Sequence, residues 1–156
     1  MPDDLDAIAE INQDVRVASW LGGVNSRGQT EARMKVWLDH WNERGYGQWV
    51  VEERASSLLV GRVGFTHHSD WTASPHDAEI GWALAFDMWN RGYATEAASA
   101  VLEWARSRED PTTIISITRP DNVRSRRVME KLGLAYRGAV TWRGFEQVWY
   151  GTDPAI

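Results

Sequence analysis

The chain has 156 residues, 43% of them hydrophobic and 25% charged, the composition of an ordinary globular protein long enough to bury one core without disulfides. Its formal net charge of -5 excludes a general nucleic-acid binder, which needs a basic face to displace counterions. No apolar run approaches a bilayer span, and the acidic opening Met1-Pro2-Asp3-Asp4-Leu5-Asp6 lacks the basic stretch of a signal peptide, so the expectation is a cytoplasmic protein with no membrane partner.

The elements follow in chain order, within one expected domain over 1–156. Apolar residues at Leu5, Ile8, Ile11, Val15 and Ala18 predict one helix from Asp4 to Leu21, ended by Gly22-Gly23. Thr30 reads as the N-cap of the next helix, with Arg33 where a capping-box glutamate would sit. That helix carries Met34, Trp37, Leu38 and Trp41 and stops at Gly45. Gln48–Glu53 and Ser57–Thr66 read as a hairpin around Arg54-Ala55-Ser56, and Ala78–Phe86 as a third strand. A helix over Ala94–Arg108 turns Ala97, Ala98, Val101, Leu102 and Ala105 inward. The β-branched run Thr112–Thr118 suits a buried strand, Val123–Leu132 a helix stopped by Gly133, and Tyr136–Trp142 with Glu146–Tyr150 a closing pair. This order predicts an α/β (α+β) fold, a mixed sheet with helices packed on it. The ten tryptophans, spread along the whole chain, read as core and rim packing.

Between the third strand and its helix lies Trp89-Asn90-Arg91-Gly92-Tyr93-Ala94-Thr95-Glu96. A strand, a glycine turn and a helix N-terminus present unpaired N–H groups and the positive end of the helix dipole, an arrangement suited to a phosphate. Gly92 and the small Ala94 let the main chain approach a ligand, while Arg91 and the Thr95 hydroxyl add charge and a hydrogen bond. Taken alone, such a turn is equally an ordinary connection. It is neither a Walker loop nor a dinucleotide fingerprint.

Three segments together carry a resemblance: Asp77 to Leu84, Trp89 to Ala97, and Arg119-Pro120-Asp121-Asn122-Val123-Arg124-Ser125 through Leu134. In this order and spacing they are similar to the GNAT superfamily of N-acetyltransferases, and within it to the RimJ/RimL-like branch of ribosomal-protein acetyltransferases. The resemblance implies a mostly antiparallel sheet with helices on both faces and acetyl-CoA as co-substrate, with no metal. It also implies transfer to an amine on a small molecule or on a peptide or protein N-terminus. Two departures stand out. The family begins with a strand, which is apparently absent before the first helix here, so a sheet edge would need cover. Trp89 also stands three residues before the central glycine, where Gln or Arg is common.

Transfer to an amine needs a neutral nucleophile, stabilisation of an oxyanion and a proton for the leaving thiolate. Without cysteine no enzyme thioester can form, and direct attack within a ternary complex is the expected route. Strand alternation puts Glu79, Gly81, Ala83 and Ala85 on one face and Ile80, Trp82, Leu84 and Phe86 on the other. Glu79 is the expected base, at a position where some superfamily members carry one; the bland reading is a solvated strand residue. The resemblance implies a strand that splays near Leu84, Ala85 and Phe86, offering a backbone N–H to the oxyanion. Many members place a tyrosine seven residues after the asparagine, where this chain has Met129. Asn122 and Ser125 remain, for the pantetheine and the sulfur, or simply as a helix cap. Arg124, Arg126 and Arg127 suit the 3′-phosphate, or a solvated face. His67, His68, His76 and Asp77 lack the spacing of a metal site, and His67 is a second choice of base. The acidic chain is expected to attract cationic partners at long range. A non-catalytic CoA-binding module and an aminoglycoside- or polyamine-type small-molecule acetyltransferase are the alternatives, and a homodimer is compatible with the sequence.

Overall fold

The computed structural model describes residues 2–76, 78–108 and 113–153. Strands β1 (Gln48–Glu53), β2 (Leu58–Thr66), β3 (Ala78–Leu84), β4 (Ile114–Thr118), β5 (Ala135–Trp142) and β6 (Phe145–Gly151) make one sheet. Their order is β1-β2-β3-β4-β6-β5, antiparallel throughout except for β3 with β4. Helices α1 (Leu5–Gln13), α2 (Val15–Ala18) and α3 (Arg27–Arg44) precede the sheet. Two more, α4 (Tyr93–Arg108) and α5 (Val123–Lys131), enter between its strands.

Period-two patterning divides the sheet between two helical layers. Val63, Phe65, Ala78 and Ile80 pack with Ala98, Val101, Leu102 and Ala105 of α4 and Met129 of α5. On the other face Leu59 joins Leu5 and Ile8 of α1 and Met34 and Trp37 of α3. Leu59 would share a face with Val63 by strict alternation. The register shift opposite Val51/Glu52 skips Val60 and turns Leu59 to the other layer.

Several boundaries differ from the sequence reading by a residue or more, and three of the differences have a local cause. The first helix is broken at Asp14, which adopts an extended ψ of 114° and caps α2 by accepting from the Arg16 N–H. The Arg16 guanidinium also holds the Asp14 carboxylate, and an aspartate that captures a backbone donor competes with helix continuation. Ser26, not Thr30, caps α3, in a full capping box with Gln29. Thr30 is instead fully buried and accepts from Asn12 Nδ2 at 3.2 Å, tying α1 to α3. Strand β3 ends at Leu84, because Ala85 opens a 3-10 turn over Phe86–Met88. Asp77, named above in the family-like segment and the rejected metal set, and Thr112, read as a strand start, lie outside the described residues.

Among the described residues no strand precedes α1; Pro2–Asp4 form a 3-10 turn that runs into it. Among the described strands β1 stands at one end of the sheet order, and its beginning is covered by α3. The Gly47 carbonyl accepts from Phe65 N–H, so ladder alternation points the Gln48 carbonyl away from β2. There it accepts from Trp41 Nε1 at 3.1 Å. Trp41 stands edge-on to Trp49 and Trp104, at 4.7 and 6.0 Å between centroids. A Cβ on Gly47 would come within 2.6 Å of that indole, so the cover requires glycine there.

Replacing Thr30 by Val keeps the shape and orphans the Asn12 amide, which is 2% exposed. The expected loss is about 1–3 kcal/mol, against about 1 kcal/mol for Ser26→Ala, both read from urea denaturation midpoints. A Thr30→Val protein as stable as the wild type would contradict the α1–α3 tie.

Candidate active site

Among the described residues β3 and β4 pair in register at two positions, Ala78 with Ile114 and Glu79 with Ile115. At the next step Ser116 Oγ donates to the Ile80 carbonyl at 2.8 Å, a side chain standing in for the ladder. Beyond it the strands part, and a cavity of about 980 Å³ opens. The Ala85 N–H is engaged by the Val60 carbonyl, so alternation directs the polar groups of Trp82 and Leu84 away from β2, into the gap. Trp89 Nε1 occupies the Leu84 carbonyl at 2.9 Å. The amides turned toward the cleft are therefore those of Trp82 and Leu84, and the Ala85 amide is already spent.

One end of the cavity is rich in donors. Gly92, at φ 86°, follows Asn90 at φ 59° and turns the chain into α4. Its carbonyl accepts the first helical bond, from Glu96 N–H. The N–H groups of Tyr93, Ala94 and Thr95, all on the cavity wall, therefore precede any intrahelical partner. The Tyr93 hydroxyl donates to Glu53, pinning this turn to β1. Across the gap Asn122 caps α5 by accepting from Ser125 N–H, and its Nδ2 donates to Thr118 Oγ1 and Ser125 Oγ at 3.0 and 3.1 Å. Arg124, Arg127 and Lys131 line the same end, Arg124 lying 5.3 Å over the Trp89 ring.

Leu84, Gly92, Tyr93, Ala94, Thr95, Asn122 and Ser125 thus line one cavity, whereas Ala85, Phe86 and Arg91 lie outside it. Arg126 is turned away, bonded to the Tyr150 hydroxyl and the Pro120 carbonyl. Met129 reaches the wall but is 1% exposed and belongs to the core.

The other end holds Glu79. Its Oε2 lies 3.1 Å from His68 Nε2, with both side chains about seven-eighths buried, and Trp142 packs on the imidazole edge at 4.9 Å. His67 stacks on His76 at 5.0 Å. Burial, with Arg44 beside it, lowers the pKa of His40 on this wall; burial and His67 do the same for His76. Among the described residues no three His, Cys, Asp or Glu side chains converge as metal ligands. Arg62 projects from β2 and stacks 4.8 Å over Trp37, and Arg33 of α3 lies beside it. Glu79 is the one carboxylate among the described wall residues, which include Arg33, Arg62, Arg124, Arg127, Lys131 and Arg143. The cavity is therefore cationic inside an acidic chain, against the expectation drawn from net charge.

A family model for the GNAT acetyltransferase domain matches residues 1–135. The chain belongs to the GNAT acetyltransferases. YnaD of Bacillus subtilis, an uncharacterized N-acetyltransferase, is 30% identical over 136 residues, 86% of this chain and 75% of that protein. The aminoglycoside acetyltransferase AAC(6′)-Ib in complex with coenzyme A superposes with a TM-score of 0.80 at 18% identity, over 96% of this chain and 89% of that one. The ribosomal-protein-S5-alanine acetyltransferase from Vibrio fischeri gives 0.75 at 15% identity, over 97% and 88%. At these identities the two structures share the fold alone. The fold of this GNAT chain is thus a mixed, mostly antiparallel six-stranded sheet with helices on both faces, and no helix among its described residues is long and apolar enough to cross a membrane.

Ser116 and Arg62 were not singled out from sequence, and His68 and Trp89 entered there only as part of a rejected metal set and as a departure from the family's phosphate motif. Only Arg62 had a signal, as the one charge within the otherwise apolar Leu58–Phe65 run. The pairing of Tyr93 with Glu53 crosses 40 residues and had none. Bonds from Tyr93 and then Ser56 hold the Glu53 carboxyl below its ordinary pKa of 4.5. Its contribution is present above that value and is lost as pH falls through the lower folded one. Tyr93→Phe is therefore expected to flatten the fall of melting temperature on acidification below pH 4.5. An unchanged slope would show the pair to be without effect on stability.

Proposed function

We propose that this single domain transfers acetyl from acetyl-CoA to a primary amine by direct attack in a ternary complex, with Glu79 as the base. One observation supports it most. A single cavity joins a donor-rich, cationic end at Gly92–Thr95 to a largely buried carboxylate at Glu79, and the two meet where β3 leaves β4. The acetyl thioester supplies the activated carbonyl. The N–H groups of Tyr93, Ala94 and Thr95 suit the pyrophosphate, with Arg124, Arg127 and Lys131 for its remaining charge. Exposed Arg91 adds to that field from outside the wall. The Leu84 N–H is aimed to polarise a carbonyl oxygen in the gap.

In the reaction the amine nitrogen bonds to the acetyl carbon, its proton passes to Glu79 directly or through one water, and the carbon–sulfur bond breaks. His68 holds the Glu79 carboxylate in place. Ser125 Oγ, which accepts from Asn122, keeps its own hydrogen for the leaving sulfur. Tyr93 is the one tyrosine among the described wall residues and its hydroxyl is committed to Glu53, which favours Ser125 for that task. Membership of the RimJ/RimL-like branch, with a peptide N-terminus as acceptor, is one version of the proposal; a small amine is the other.

Glu79→Gln is expected to lower kcat roughly 100-fold or more, with acetyl-CoA affinity by calorimetry retained. Thiol release across amines is the readout. Full activity in the variant would remove Glu79 from the mechanism, and loss of turnover together with CoA binding would point to misfolding.

A further inference from the structure

The acceptor end carries a pair of arginines that the transfer itself does not use. Arg62 sits on β2 opposite Ala83, with its face toward α3. Its Nη1 donates to Gln48 Oε1 at 3.0 Å, and its Nε is buried with no partner. A buried, unsatisfied donor on a cation calls for an explanation. No carboxylate among the described residues pairs with Arg62 or with neighbouring Arg33; Glu79, the nearest acidic wall residue, is bonded to His68. Burial first, and then the Arg33 charge, lower the Arg62 pKa to about 10, still far enough above neutral to keep the guanidinium charged.

We infer that Arg62 and Arg33 bind an anionic group, carboxylate or phosphate, carried by the acceptor within a few bonds of its amine, so that the acceptor is a zwitterionic small molecule of the amino-acid type. The inference rests on the acetyltransferase reading above and names its substrate class. Arg62 Nη1 bonds Gln48 Oε1, and Gln48 Nε2 donates to Thr66 Oγ1, the residue in register with Glu79. One shared neighbour thus brings the guanidinium to the stretch of wall that holds the carboxylate, and the Glu79 charge acts on Arg62. A small acceptor whose two charges lie a few bonds apart suits an ammonium on Glu79 and an anion on Arg62, each at a hydrogen-bond distance of about 3 Å. The cations also favour the neutral amine over the ammonium, the form that attacks. A polycationic acceptor would meet Arg33 and Arg62 with nothing but Glu79 to balance them.

The test compares the twenty L-amino acids with their amides, O-phosphoethanolamine with ethanolamine, and kanamycin as the polycation, by thiol release from acetyl-CoA. For the preferred acid, kcat/KM should exceed that of its amide by about tenfold or more, the worth of one charge-assisted bond. A preference for phosphoethanolamine over every acid would identify the anion as phosphate. Arg62→Met and the milder surface change Arg33→Met should each shrink the acid–amide ratio through KM, with kcat nearly unchanged. Arg33→Glu should shift preference toward kanamycin. Where turnover is absent, the melting temperature of the CoA complex is the second readout, and acids but not amides should raise it. CoA bound without any acid-dependent effect would overturn this inference and leave the acetyltransferase reading standing, as would amides or kanamycin preferred in the wild type. Failure to bind CoA would overturn that reading itself.

Discussion

Everything that can happen in this molecule depends on how briefly β3 and β4 hold together. Among the described residues two pairs join them, and the Ser116 hydroxyl then takes the Ile80 carbonyl that a third pair would have used. A parallel pair that continued would bury the main-chain groups of Trp82 and Leu84 in a ladder, and the sheet would have no opening. Because it stops, those groups face a cavity, and one β3 residue is used up in each role in turn. Glu79 is the last to pair, Ile80 is satisfied by a side chain, and Leu84 is divided between Trp89 and the gap.

The helices stabilise the opening from both sides. On one side α4 starts at a glycine turn pinned to β1 by Tyr93 and Glu53. On the other, α5 is capped by an asparagine that also ties it to the end of β4 through Thr118. Capping and ligand contact had been alternative readings of Asn122 and Ser125. They are compatible here: the cap fixes the Asn122 amide and Ser125 nitrogen, and the Ser125 hydroxyl hydrogen stays available.

The periodic parts of the chain were legible. Strand Gln48–Glu53 has the bounds that the hairpin reading predicted, and the apolar stripe of α4 packs where its spacing placed it. Local competition was less readable. An apolar period runs straight through Asp14, yet that carboxylate captures the Arg16 N–H and breaks the helix. Ser26 was passed over because the apolar stripe of α3 begins late, at Thr30 and Met34, and a capping box signals the helix start even where its first turn is polar. Long-range partners left no trace at all, since nothing in the spacing of His68 or Trp89 tells which carboxylate or carbonyl each will meet. Composition misled in one respect: net charge is a sum over the surface, and the wall of a cleft can carry the opposite sign.

That reversal of sign has a kinetic side. An anion far from this protein meets the field of a chain carrying -5, and only near the cleft does it meet the arginines. The outer, repulsive field acts across solvent and is screened beyond about 8–10 Å at ordinary ionic strength, whereas partly buried charges are screened much less. Moderate salt therefore removes the outer repulsion before it weakens the inner attraction. For anionic ligands the association rate should rise as salt is first added and the dissociation rate should lag behind, the reverse of the behaviour of a protein steered by a uniformly attractive surface.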